Sequence, residues 1–154
     1  MNGRETSHGN VPIKNTVTID TVPAGDVNGD GKPDTAYISG LDTSRKDISG
    51  FFDECPTDSC VVTISFNNGI PPIHQYLAYG GTLIIQHDLN NDGANELIYL
   101  PEWFTSCWNR YEIYSFFKKK WINIAGASYY RCIDHDWNLI HKISPTKLIV
   151  YRDL

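Results

Sequence analysis

Two stretches of this 154-residue chain carry oxygen-bearing side chains at a spacing that suits a hard cation. Residues 25–38 read Gly-Asp-Val-Asn-Gly-Asp-Gly-Lys-Pro-Asp-Thr-Ala-Tyr-Ile, and residues 87–100 read His-Asp-Leu-Asn-Asn-Asp-Gly-Ala-Asn-Glu-Leu-Ile-Tyr-Leu. Both fit D-x-N-x-D-G-x-x-[DE] followed by an apolar run, and Asp88 stands 62 positions after Asp26. Ca²⁺ takes ~6–8 oxygen ligands at about 2.3–2.6 Å. The alternation of Asp26, Asn28 and Asp30 lets a tightly curled loop aim three side-chain oxygens inward. Gly31 takes the sharp turn that needs positive φ. Lys32 then offers its backbone carbonyl and Asp34 closes the cage. In the second loop the equivalents are Asp88, Asn90, Asp92, Gly93, the carbonyl of Ala94, and Glu96. The expectation is two Ca²⁺ sites, with waters completing each shell. Mg²⁺ fits less well, because it gives up its waters reluctantly and wants near-octahedral geometry.

The charge balance follows the same residues. The chain holds 18 acids against 13 Lys and Arg, a formal net of −5, and six of those acids lie in the two loops. Filling both loops brings the formal net to −1. So acidic a chain is a poor grip for nucleic acid phosphates. Its 41% hydrophobic and 20% charged residues suit a globular domain. No apolar run reaches the ~18–20 residues that a membrane helix needs.

The elements that must hold these loops read as strands. Val17–Ile19, Thr35–Ile38, Val61–Phe66, Thr82–Gln86 and Leu97–Leu100 are rich in branched and aromatic residues. Tyr111–Phe117 and Trp121–Ala125 form the arms of a hairpin joined at Lys118-Lys119-Lys120, and Lys147–Tyr151 is a closing strand. Asn68-Gly69, Gly80-Gly81, Asp30-Gly31 and Asp92-Gly93 punctuate the runs as turns. The triple lysine reads as a solvated hairpin tip, with a basic patch for an anionic partner as the other possibility. No long stretch shows a 3.6-residue apolar period. The pattern predicts an all-β, mainly antiparallel fold: a flexible lead-in over 1–15, then one β domain over 16–154 with two repeat units. The polar, cysteine-bearing segment 41–60 is expected to be a long loop.

Four cysteines, Cys55, Cys60, Cys107 and Cys132, suit two disulfides, and three pairings are open. The simplest is Cys55–Cys60 with Cys107–Cys132. A zinc site is disfavoured because there is no C-x2-C pair and no accompanying histidine cluster. Free buried thiols are the remaining reading. Disulfides imply an oxidising compartment, periplasmic or extracellular. The opening Met1-Asn2-Gly3-Arg4-Glu5 has no apolar signal core, which fits a mature chain whose signal peptide was removed and a start Met added.

The loops are not those of an EF-hand, which needs a bidentate Glu at position 12 and flanking helices. Position 12 is Tyr37 in one loop and Tyr99 in the other, and each loop runs into a strand pattern. D-x-N-x-D-G-x-x-[DE] before a strand resembles the FG-GAP/VCBS repeat, the calcium-binding blade unit of integrin-type β-propellers. The 62-residue offset is similar to a blade repeat of that family. Carried over, the resemblance implies Asp26, Asn28, Asp30, Asp34, Asp88, Asn90, Asp92 and Glu96 as Ca²⁺ ligands. The Phe-Gly and Gly-Ala-Pro segments of the family are absent. A propeller has ~4–8 four-stranded blades, whereas this length at this offset gives about two and a half. The expected fold is therefore either a reduced propeller-like assembly or a compact β domain that uses the same loop. Asp134-His135-Asp136-Trp137-Asn138 lacks the Asp-Gly step and reads as a surface turn.

Catalytic signatures are missing: no G-x-S-x-G, H-E-x-x-H or P-loop occurs. His74, His87, His135 and His141 are scattered and read as ordinary histidines. Glu102, and Asp53 with Glu54, have nothing to fix a glycosidase-like carboxylate separation. Trp103, Phe104 and Trp108 are candidate partner-binding aromatics, against the alternative that they fill the core beside Cys107. The resemblance implies a non-enzymatic role. Small periplasmic proteins that look like these repeats include immunity proteins, which neutralise cell-wall-degrading effectors from rival bacteria. The expected partner is thus a peptidoglycan-degrading enzyme, met by residues 41–60 or 101–110. The alternatives are a carbohydrate- or matrix-adhesion module and a hydrolase with structural calcium.

Overall fold

A computed structural model of the chain describes residues 16–41, 60–102, 107–130, 132, 140–144 and 147–150. All regular structure among them is β. Strands β1 (Thr16–Gly25), β2 (Asp34–Leu41), β3 (Val61–Phe66) and β4 (Ile73–Tyr76) form one antiparallel meander in chain order. Strands β5 (Gly80–Gln86), β6 (Glu96–Glu102), β7 (Trp108–Phe117) and β8 (Lys120–Tyr130) form a second. A hairpin of β9 (Ile140–Ser144) and β10 (Lys147–Val150) follows. Each acidic loop joins the first and second strands of its own meander.

The three pieces stack as layers. Val62, Ile64, Ala36 and Ile38 of the first sheet pack with Leu83, Leu97, Tyr99 and Tyr114 of the second. On the far side of the second sheet, Ile98, Leu100, Tyr111, Ile113 and Tyr129 form a separate core, against which Ile140 and Val150 of the hairpin pack. Strand β6 is therefore buried on both faces, which explains why Leu97-Ile98-Tyr99-Leu100 is continuous apolar rather than alternating. Trp121 ties the layers further. Its ring lies 5.0 Å from both Phe66 and Phe116, and its indole N–H donates to the Pro71 carbonyl at 2.7 Å.

The all-β expectation is met, as two open four-stranded sheets that make a compact β domain. Each predicted run coincides with part or all of a strand, apart from Tyr151, which like the lead-in 1–15 and positions 42–59 lies outside the described residues. Two strands carried no clear signal. Ile-His-Gln-Tyr of β4 and Ile-His-Lys-Ile-Ser of β9 are short, half-polar edge strands. One expectation is corrected. Gly80-Gly81 is not a turn but the start of β5, paired with Glu102 and Pro101. A Cβ on Gly81 would lie 2.4 Å from the Tyr99 hydroxyl and 2.6 Å from the Leu100 carbonyl oxygen, so glycine is there to admit a close neighbour.

The lysine-rich connection is a two-residue turn, Lys118-Lys119, with Lys120 already in β8. Both turn residues have positive φ, 50° and 63°, as a type I′ hairpin demands. Lysine pays about 1–2 kcal/mol per residue for that conformation. Against this, the cation–π contact of Lys118 with the exposed Phe117 ring, 5.2 Å away, returns only about 0.5–1 kcal/mol. The strain wins, so Lys118→Asn with Lys119→Gly is expected to raise stability by about 1–2 kcal/mol. Chemical denaturation of the pair variant measures it.

Candidate functional site

The first loop winds around Asp26. Its carboxylate accepts from the amides of Gly29 (2.7 Å), Asp30 (3.2 Å) and Gly31 (2.7 Å). Asn28 Oδ1 accepts from the Asp30 amide and Asp30 Oδ1 from the Lys32 amide, at 2.9 and 2.8 Å. Asp34, buried at the head of β2, is held from two sides. Oδ2 accepts from the Val27 amide at 3.1 Å, and Oδ1 accepts from the Asn68 carboxamide at 2.8 Å.

The second loop repeats the winding. Asp88 accepts from the amides of Asp92 (3.1 Å) and Gly93 (2.9 Å). Asn90 Oδ1 accepts from the Asp92 amide and Asp92 Oδ1 from the Ala94 amide. Gly31 and Gly93 sit at φ 81° and 89°, as the expected sharp turn requires. The closing residue differs. Glu96 is fully buried, and its Oε2 accepts from the Leu89 amide at 2.5 Å, but its Oε1 has no hydrogen-bond partner. Carboxylate oxygens of Asp88, Asp92 and Glu96 all lie within 4.8 Å of one another. Among the described residues no other group of three His, Cys, Asp or Glu side chains converges so closely.

A buried carboxylate that has one unpaired oxygen and two other carboxylates close by is costly unless a cation or proton meets it. Burial accordingly pushes the Glu96 carboxyl above the ordinary range, and the charges of Asp92 and Asp88 push the same way. The Leu89 amide and the Ser115 hydroxyl pull against them. Burial raises Asp88 too, but there the Gly93, Asn91 and Asp92 amides and the Lys142 charge prevail, and its carboxyl is lowered overall.

Several residues that bind the loops together were not singled out in the sequence. Asn95, next to Glu96, donates its amide to the Asp26 carbonyl (2.7 Å) and its side chain to the Ala24 carbonyl (3.1 Å), so the second loop is stitched to the first. Lys142 of β9 reaches the Asp88 carbonyl (2.7 Å) and the Asn91 side chain (2.5 Å). Asn90 donates to Ser115 on β7 at 3.0 Å. Asn68 was visible only as half of an Asn-Gly turn. The one sequence cue for Asn95 is that its counterpart in the first loop, Pro33, cannot donate.

Trp108 sits at the opposite end. Strand register places both loops, the Asn67–Ile70 turn and the Lys118-Lys119 tip at one end of the sheets. Leu41, Cys60, Glu102 and Cys107, which flank segments 42–59 and 103–106, lie at the other. Trp108 is 43% exposed, so it does not fill the core. It stacks edge-on against Tyr130 at 5.2 Å, next to a Cys107–Cys132 disulfide of Cα–Cα distance 5.3 Å. Cys60 is disulfide-bonded as well, while its expected partner Cys55 lies outside the described residues. So do Trp103, Phe104 and the 134–138 segment. No helix among the described residues is long and apolar enough to cross a membrane. Compared with family models, curated proteins and solved structures, the chain matches none.

Proposed function

We propose that this chain is a calcium-stabilised, non-enzymatic β module of the bacterial periplasm or exterior that binds a protein partner at the end remote from its metal loops. The observation that carries the calcium reading is that Glu96, whose carboxylate converges with those of Asp88 and Asp92, keeps one oxygen buried and unpaired. An all-oxygen, carboxylate-rich donor set suits a hard divalent ion, and Ca²⁺ accepts the irregular mixture of carboxylate, carboxamide and carbonyl ligands that each loop offers. Asp88, Asn90, Asp92, Glu96 and the Ala94 carbonyl would hold one ion. Asp26, Asn28, Asp30, Asp34 and the Lys32 carbonyl would hold the other. The ions would fix the loops that connect strands rather than take part in chemistry.

The partner reading rests on placement and on the resemblance to FG-GAP/VCBS repeats. The exposed Trp108, stacked on half-buried Tyr130, is braced by a disulfide, and an aromatic anchor on a rigid support is what an inhibitor surface uses. The disulfides also suit an oxidising compartment. The partner class is a peptidoglycan-degrading enzyme, which makes the chain an immunity protein. The test is inhibition. Purified chain is titrated into a panel of peptidoglycan hydrolases, with Trp108→Ala as control. Stoichiometric inhibition of one enzyme, weakened at least tenfold by the substitution, is the expected result. Peptidoglycan turnover by the chain itself, or glycan binding that depends on Trp108, overturns it.

Calcium and protons should compete for Glu96. Its raised carboxyl means the folded, calcium-free chain holds a proton more tightly than the unfolded chain. From this group alone, stability is therefore highest below the ordinary carboxylate range and falls as pH rises through the raised value. Calcium reverses that loss, because it binds the ionised form. The calcium-dependent rise in melting temperature is expected to be largest near pH 7.5 and to shrink toward pH 5. Thermal unfolding with and without calcium across that range checks it.

A further inference from the structure

The two loops share a sequence pattern but differ in how their closing carboxylates are satisfied. Asp34 has a protein donor on each oxygen: the Val27 amide on one and the Asn68 carboxamide on the other. Glu96 has a donor on one oxygen only, and its second is buried without a partner. The acidic oxygens of the second loop draw within 4.8 Å of one another, and those of the first are not gathered in this way. The calcium-free first loop is thus a satisfied structure, whereas the calcium-free second loop carries an unmet buried anion. A cation entering the second loop removes that cost, and a cation entering the first has none to remove.

We propose that the loops are unequal. The Asp88–Glu96 loop takes one hard divalent cation with high affinity, while Asn68 stands in for the cation at the Asp26–Asp34 loop and keeps it weak. Asn68 suits that role. It sits in the Asn67–Ile70 turn between β3 and β4 with φ at 61°, and the turn is fixed by the Asn67 side chain accepting from the Thr35 amide at 2.8 Å. The donor is therefore delivered by a neighbouring connection of the same sheet, not by the loop itself. The Ser115 hydroxyl lies close enough to Glu96 to pull its carboxyl down, but Oε1 itself accepts no hydrogen bond. The Asn90 carboxamide of the same loop is spent on Ser115 and Asp92. The inference rests on the calcium reading above and adds which loop fills and what holds the other back.

Calorimetric titration of the intact chain with CaCl₂ tests it. Two binding events are expected, the first tighter by roughly 10–100-fold, the worth of one satisfied charged acceptor. Asp92→Asn is expected to abolish the tight event, and Asp34→Asn to leave it unchanged. Asn68→Gly keeps the positive φ and removes the donor, and it is expected to tighten the weak event severalfold with no change in the other. Two events of equal affinity, loss of the tight event in Asp34→Asn, or no response to Asn68→Gly overturns the inequality and leaves the calcium reading standing. No binding at millimolar calcium overturns both.

Discussion

Glu96→Gln is expected to abolish the part of the calcium stabilisation that the second loop supplies, yet leave the calcium-free protein at least as stable as the parent. In the parent, calcium at about 100 times its dissociation constant stabilises by about 2.7 kcal/mol. In a chain of this size that is a rise of roughly 5–10 °C in melting temperature. The glutamine keeps the shape and can still accept from the Leu89 amide, but it carries no charge. Removing a buried, half-satisfied anion offsets whatever packing is lost, so the calcium-free curves should coincide or cross in favour of the variant. That pairing of signs separates a metal ligand from an ordinary structural residue, whose loss destabilises with or without calcium. Differential scanning calorimetry in EGTA and in excess CaCl₂ gives both numbers from one sample. A calcium response retained in full by Glu96→Gln rules the residue out as a ligand.

The second large effect is expected from the paired substitution Cys107→Ala with Cys132→Ala. The bridge spans a sequence separation of 25, and the chain-entropy relation gives about 3–4 kcal/mol for a loop of that size. The melting temperature should fall by roughly 6–16 °C. The loss has a functional side too. The bridge joins the residue before β7 to a residue just after β8, and the first residue pair inside it is Trp108 with Tyr130. Without the bridge that pair frays, and an anchor that must be ordered on binding loses affinity. Partner inhibition should therefore weaken more than the stability loss alone explains. Assay at a temperature where both proteins are fully folded separates the two effects.

Much of the fold could be read from composition and punctuation. The runs of Val, Ile, Thr and aromatics fell in strands because a pleated, half-buried surface selects those residues, and the Asp-Gly steps fell where the backbone needs positive φ. The acidic loops were legible for the same reason, since their ligand spacing is a local property of nine residues. What stayed hidden depends on partners distant in sequence. Gly80-Gly81 looks like a turn until the Tyr99 hydroxyl is placed over Gly81. Strand β4 has only one neighbour and little apolar pattern of its own. The difference between Asp34 and Glu96 lies in Asn68 and its counterpart's absence, and no inspection of the loops alone reveals it. Nor does spacing show that both loops share one end of the sheets, because register decides that.

The stitch made by Asn95 bears on the order in which this chain acquires its structure. Every strand in each four-stranded sheet pairs with its neighbour in sequence, so each meander can form from nearby segments as soon as its last strand is available, the pattern that gives fast folding. The first sheet needs nothing beyond Tyr76 for its ladders. Its Ala24 and Asp26 carbonyls, however, also accept from Asn95, a residue 19 positions further on. A chain synthesised from its N-terminus therefore assembles the first meander with its acidic turn still uncapped, and the second meander supplies the cap as it closes. The link between the two acidic loops is set late, by a single asparagine.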